Sequence, residues 1–222
     1  EWIRIDDVQH IAVANFSRQC AKSCSRTQNK FSIVNVTPMS DTTINSIFSK
    51  ILGGRLTLLG ARNSVVEIAL TLSQSTINIW RRLQSLLQPS QEKVHYTFEL
   101  EEMARVFEGL VRCTAEEMMF PEQVVKVWRH ECERSICDKL VNFEDQLLAI
   151  DTITTTLRAQ INKANSSVPL VIPESYLCHT DVMYTDVDGE GGGGYRPMHN
   201  DVAMKARVQE AAVHLGLDCI VF

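Results

Sequence analysis

Residues 95–142 constrain the fold more than any other part of the sequence, because they contain two amphipathic patterns separated by a proline. In the first pattern, apolar residues recur at helical spacing from Leu100 to Thr114, and charged residues occupy half of the intervening positions. Pro121 suits the first position of a second helix, whose apolar stripe extends from Val125 to Leu140. The two stripes predict a packed helical hairpin, and the apolar residues within 95–98 predict a buried, strand-like segment before it.

Other patterns predict the elements on either side of this hairpin. Apolar runs at residues 8–16 and 31–36 predict buried strands. Helical spacing predicts one helix from Ser40-Asp41 to the glycine pair Gly53-Gly54, and further helices over residues 65–87, 143–161 and 201–215. From about residue 164 onwards, prolines and a tetraglycine predict a connector that precedes the last helix.

Composition limits the partners. The formal net charge of −5 gives no basic surface for nucleic acid or anionic membrane. No apolar run approaches the roughly 18 to 20 residues that cross a bilayer. The seven cysteines are odd in number and lack CxxC spacing, which predicts reduced intracellular thiols. The chain opens without methionine and closes on the apolar run DCIVF, so we expect a fragment of a longer protein.

The hairpin carries a family resemblance. HYTFELEEMARVFEG, followed by VVKVWRHECERSICDKLVNFED, resembles the lid of an AAA+ module of a dynein heavy chain. Axonemal members commonly have HYxFNLRDLSRVFQG and then LxRLWRHECxRVxxDRLxxxED. The resemblance extends nearly end to end and is strongest over residues 31–145. It implies the third module of an axonemal ring.

By this resemblance, four residues take positions around a nucleotide. Asn15 holds the sensor I position, where a strand-end amide orients the attacking water, and Arg26 holds the arginine-finger position that serves the neighbouring module. Glu101 holds the sensor II position, where the family has arginine, and Arg105 lies one turn further on. From the residues alone, Asn15 is equally a turn cap, Arg26 a solvated side chain, and Glu101 with Arg105 an i,i+4 ion pair.

The sequence departs from a complete nucleotide site. Walker A and Walker B motifs are missing, and FSRQCAKSC replaces the family's glycine-rich loop. A carboxylate at position 101 would repel phosphate, so we expect slow turnover, with Arg105 as an alternative phosphate contact. The glycines at 189–194 fit a flexible linker better than a dinucleotide loop, and Pro197 stands where a calcium loop needs glutamate. No four-ligand set for a metal converges in the sequence.

The sequence therefore predicts an α+β fold, mostly α: the C-terminal part of an AAA+ large subdomain over residues 1–60, a helical AAA+ lid over 61–164, and a linker over 165–222. The resemblance implies one piece of an ATP-driven microtubule motor, with ATP or ADP and Mg held by parts of the module outside this chain. Expected partners are neighbouring AAA+ modules, microtubules and dynein intermediate and light chains, in the cytoplasm and cytoskeleton of a cilium or flagellum axoneme. The alternative is a helical scaffold of AAA+ ancestry without nucleotide turnover.

Overall fold

The computed structural model describes residues 8–13, 25–116, 118–164, 183–186, 195–198 and 201–217. The chain divides into two compact units, Glu1–Met39 and Ser40–Phe222. The fold is mostly helical, as predicted. Its elements in chain order are α1 Ser25–Gln28, α2 Asp41–Leu58, α3 Asn63–Leu86, α4 Leu100–Arg112, α5 Pro121–Cys132, a π-helical turn Glu133–Cys137, α6 Phe143–Ala164, β1 Met183–Asp186, β2 Tyr195–Met198 and α7 Asp201–His214.

Both strands predicted for the first unit are wrong over the residues that the structure describes. Residues 8–13 and 31–36 form no ladder, and their apolar side chains face solvent, with Val13 98% and Val34 83% exposed. A strand needs a hydrogen-bonded neighbour, and the described residues provide none for either segment. Asn15 lies outside the described residues.

Helix α2 begins where predicted and ends later. The Ser40 hydroxyl caps it by accepting a hydrogen bond from the Thr43 amide at 3.2 Å. The predicted stop at Gly53-Gly54 is wrong, because Leu52 and Leu56 on either side of the pair are both buried and the helix must continue to bury Leu56. Two glycines within a helix cost about 1 kcal/mol each, less than the burial of one leucine recovers. The helix ends before Gly60, whose φ of 67° suits glycine.

Helix α3, predicted from its apolar spacing, lies at the centre of the second unit. It packs against α2, α4, α5 and α6, and both faces of its middle turns are buried. The buried Thr76 hydroxyl accepts a hydrogen bond from the Trp128 indole N–H at 2.8 Å, which joins α3 to α5. Among the described helices, none combines the length and the apolar content that crossing a membrane requires.

The predicted hairpin is confirmed, since α4 and α5 pack on each other with Pro121 at the start of α5. Phe107 of α4 also stacks on Phe48 of α2, with ring centroids 4.4 Å apart. The segment at 95–98 forms no strand, since a turn ends at His95 and residues 96–98 are irregular, although Tyr96 is buried as expected. Helix α4 ends at Arg112, so Thr114 is not part of its stripe.

A β-hairpin and a last helix follow α6. Strands β1 and β2 pair antiparallel, with Tyr184 opposite Pro197. The sequence predicted a connector here and missed this hairpin, because four-residue strands give no measurable periodicity. Tyr184 is buried against His130 of α5, with ring centroids 5.1 Å apart, so the β-hairpin returns to α5. Helix α7 is confirmed.

Candidate functional site

A groove with a volume of about 520 Å³ lies between α4 and the second arm of the hairpin, formed by α5, the π-helical turn and the two residues after it. We call it the ionic groove, because eight of its ten lining residues carry charge. It is lined by Glu102, Arg105, Glu108, Gly109, Arg112, Glu131, Arg134, Ser135, Asp138 and Lys139.

Each cation of the ionic groove has a carboxylate beside it. On the exposed face of α4, Arg105 Nη2 contacts Glu101 Oε1 at 2.6 Å, and Arg112 pairs with Glu108 in the same i,i+4 relation at 2.5 Å. Both pairs are more than half exposed, and such pairs stabilise a helix by about 0.3 to 0.5 kcal/mol. The groove therefore presents alternating charge rather than a field of one sign.

The pair at the end nearest the start of α4 is more enclosed. Lys139 Nζ donates to Glu102 Oε1 and to the Thr97 carbonyl, both at 2.8 Å, and lies 4.1 Å from the centre of the Phe98 ring. Burial by itself would raise the pKa of the Glu102 carboxyl, but the Lys139 hydrogen bond and the nearby backbone amides lower that pKa below its ordinary value. Glu102 is therefore held as a carboxylate.

Glu102 also caps its own helix. Its Oε2 accepts from the Glu99 amide at 2.7 Å, and the Glu99 side chain accepts in turn from the amide of Glu102, which forms a capping box. One carboxylate thus joins the first turn of α4 to Lys139 on the opposite arm. Motif reasoning misses this box, because its first residue is Glu99 rather than the usual serine or threonine, although a glutamate follows three positions later.

The bottom of the ionic groove is formed where Glu131 crosses Gly109. A Cβ placed on Gly109 would lie 2.6 Å from Cγ of Glu131 and closer still to its carboxyl group. The Glu131 side chain is 9% exposed, so it has little room to withdraw. A side chain at position 109 would therefore have to displace the Glu131 side chain, which favours glycine there.

The second arm changes helical form along the groove. The Asp138 amide donates to the Glu133 carbonyl at 3.3 Å, an i to i−5 bond that defines the π-helical turn. At its start, Arg129 Nε donates to Glu133 Oε1 at 2.6 Å, and both side chains are at least 97% buried. Sequence reasoning predicted an unbroken helical stripe here, because a single inserted residue hardly changes the apolar spacing.

Of the four site residues predicted from the sequence, two lie on α4, one lies on α1, and one lies outside the described residues. Glu101 and Arg105 lie together on α4 and form the predicted i,i+4 pair, which turns the Arg105 guanidinium towards a carboxylate of the same helix. Arg26 is exposed on the four-residue helix α1 of the first unit, and Asn15 lies outside the described residues. The nucleotide roles of all four residues stay predictions.

The thiols of the second arm are buried. Cys132 and Cys137 carry no disulfide, and burial raises the pKa of both. For Cys137, with Glu133 and Asp138 nearby, the pKa reaches about 12. Within the part of the chain that the structure describes, no three His, Cys, Asp or Glu side chains converge to hold a metal ion.

Comparison with known proteins places this hairpin in a family. The AAA+ lid domain family matches residues 65–167, which span α3, α4, α5 and α6. These residues are an AAA+ lid domain. The groove thus lies on the lid itself, between two of its helices.

The relatives of this lid-containing chain are axonemal dynein heavy chains. It is 31% identical over 158 residues to the dynein gamma chain of the flagellar outer arm of Chlamydomonas reinhardtii, covering 64% of this chain and 4% of that protein. It is 34% identical over 118 residues to human dynein axonemal heavy chain 10, covering 53% and 3%. It is 25% identical over 182 residues to rat dynein axonemal heavy chain 5, covering 81% of this chain and 5% of that protein. The chain thus spans a small part of the relatives that it matches.

Proposed function

We propose that this chain is part of the ATP-driven ring of a dynein heavy chain, in which its lid closes over nucleotide held by other parts of the module. The AAA+ lid match, together with the packed α4–α5 hairpin, carries the proposal. A helical hairpin with a continuous core moves as one body, so it transmits a displacement at one end to the other. The division into a large-subdomain part over 1–60, a lid over 61–164 and a linker over 165–222 belongs to the same proposal.

The ionic groove does not build a phosphate site by itself. A phosphate needs cations or amide donors that are free of competing anions, and each cation of the ionic groove lies beside a carboxylate. ATP or ADP with Mg would therefore depend on residues outside the ionic groove. The Glu101 carboxylate, if turned towards such a nucleotide, disfavours binding, and the Arg105 guanidinium favours it. We propose that this module binds nucleotide weakly or turns it over slowly and acts in regulation of the ring.

In this proposal Arg26 serves the preceding module as an arginine finger and Asn15 orients water in this one. The neighbouring AAA+ modules of the same heavy chain are direct partners. Microtubules and the intermediate and light chains are reached through the whole protein, which we place in the axoneme of a cilium or flagellum. The position as third module of the ring is part of the same proposal.

The test compares Glu101→Arg with Glu108→Arg in the full heavy chain. The two glutamates make matching i,i+4 pairs on the same exposed face of α4, and they are seven residues apart. If position 101 approaches a phosphate, the arginine adds a charge-assisted hydrogen bond and tightens nucleotide binding about tenfold, whereas Glu108→Arg leaves binding within about twofold. Unchanged binding and turnover in Glu101→Arg would refute the role of position 101.

A second candidate function is a helical scaffold without nucleotide turnover. The observation in its favour is the pairing of charges in the ionic groove, which leaves the groove without a field that attracts phosphate. This candidate predicts that ring assembly survives in the Glu101→Arg variant and that neither variant alters ATP binding. Measurement of ATP binding in the two variants separates the two candidates, and sedimentation checks that each variant keeps its fold.

A further inference from the structure

The π-helical turn Glu133–Cys137 lies between the buried end of α5 and Lys139, whose ammonium contacts the first turn of α4. We propose that this turn is a positioning element: its extra residue directs Lys139 at the start of α4, and Lys139 thereby fixes the orientation of the lid edge that carries position 101. The inference goes beyond the proposed function, because it concerns how the lid edge is held whether or not nucleotide is present.

The first step is geometric. A π-helical turn holds one more residue than an α-helical turn, so every later side chain is rotated by one residue, roughly 100° in an α-helix of 3.6 residues per turn. Lys139 follows the turn by two positions. If residues 133–138 adopted α-helical bonds with their upstream part in place, Lys139 would point away from α4. The π form is therefore required for the contacts that Lys139 makes.

The second step concerns what holds the π form. Its upstream side is fixed by the buried Arg129–Glu133 pair, because separating the two side chains would leave an uncompensated charge in the interior. Its downstream side is fixed by Lys139, through two hydrogen bonds and the face of the Phe98 ring. The less favourable π bonds persist because both ends are held.

The third step concerns what Lys139 positions. Glu102 accepts from Lys139 with one oxygen and from the Glu99 amide with the other, so the ammonium orients the capping box of α4. Glu101 and Arg105 belong to the same first turns of α4. A shift at the π-helical turn is therefore transmitted to position 101 through the Lys139 side chain.

The experiment measures amide hydrogen exchange in the 222-residue chain without nucleotide. Lys139→Met should speed exchange at residues 99–105 about tenfold, because a charged hydrogen-bond donor is lost, while Lys139→Arg retains most of the protection. Arg112→Met, which removes an exposed pair at the far end of α4, should change exchange at 99–105 less than about twofold. Unaltered exchange in Lys139→Met would overturn the positioning role.

The part played by the π form needs a second variant. Deletion of Ser135 removes the extra residue. It should speed amide exchange at residues 99–105 as much as Lys139→Met does. Amide exchange at residues 99–105 should be no faster in the double variant than in either single variant, because both changes remove the same contacts. Additive effects would overturn the link.

A further measurement covers the case in which the deletion prevents folding. In Lys139→Met itself, loss of the downstream support should also speed exchange at residues 133–138. Unchanged exchange there, with a loosened α4, would overturn the assignment of the π-helical turn while leaving the role of Lys139 in place.

Discussion

Substitution of Gly109 tests how closely the two arms of the lid hairpin approach. A Cβ at this position would lie 2.6 Å from Cγ of Glu131, which is 9% exposed. Overpacking of this kind costs about 1 to 3 kcal/mol, and alanine recovers about 0.5 to 1 kcal/mol of helix propensity. We therefore expect Gly109→Ala to lower the free energy of unfolding, by about 1 kcal/mol at the middle of these ranges and by about 2.5 kcal/mol at most.

Two comparisons separate crowding from a general effect of alanine. Gly53 lies in α2 with no atom within 4 Å of a built Cβ, so Gly53→Ala should stabilise the chain by about 0.5 to 1 kcal/mol. In a Glu131→Ala background the obstructing side chain is gone, and Gly109→Ala should become stabilising by a similar amount. The sign of the effect at Gly109 should therefore reverse between the two backgrounds.

The assay is urea unfolding followed by far-UV circular dichroism, with thermal unfolding as a second measure. For a chain of this size, 1 kcal/mol corresponds to a shift in Tm of about 2 to 4 °C. If Gly109→Ala is neutral or stabilising in the wild-type background, Glu131 yields without cost and the close approach does not require glycine. An equal loss in the Glu131→Ala background would assign the effect to some other contact.

Three further predictions concern the hairpin. Thr76→Val removes the acceptor of the buried Trp128 indole N–H and should cost about 1 to 3 kcal/mol in urea unfolding, and a loss below 0.5 kcal/mol would show that the bond is dispensable. Because the folded pKa of Glu102 is lowered from its ordinary 4.5, the stability that it provides is complete above that pH and is lost as the pH falls below it. In Lys139→Met this acid-sensitive part should shrink, and an unchanged pH profile of unfolding would contradict the pairing. Cys137, with its pKa raised to about 12, should resist alkylation in the folded chain at neutral pH and react once urea unfolds it, and rapid modification without urea would refute its burial.

The helices of the lid were predictable from the sequence because each buries one apolar stripe of regular spacing. Their ends were less predictable, since burial of Leu56 overrides two glycines that favour a stop. The prediction of strands at 8–13 and 31–36 was wrong for a different reason. An apolar run favours a strand only where a neighbouring strand pairs with it and buries it, and no ladder forms among the described residues of these segments.

For the candidate site, local pairs were predictable and long-range ones were not. The Glu101–Arg105 pair follows from i,i+4 spacing alone. The contact of Lys139 with Glu102 spans 37 positions and depends on the π-helical turn, which changes the direction of one side chain without changing the apolar pattern. The glycine at 109 had no signal of its own in the sequence, because its role is set by a side chain on the opposite arm.

The return of the β-hairpin to α5 affects how the lid meets mechanical load. The polypeptide leaves the lid at the end of α6, and Tyr184 brings it back against His130. Tension that arrives from the direction of α7 therefore loads the β1–β2 ladder and then this aromatic contact with α5. As long as the contact between Tyr184 and His130 holds, this tension acts on α5 and not on the C-terminal end of α6.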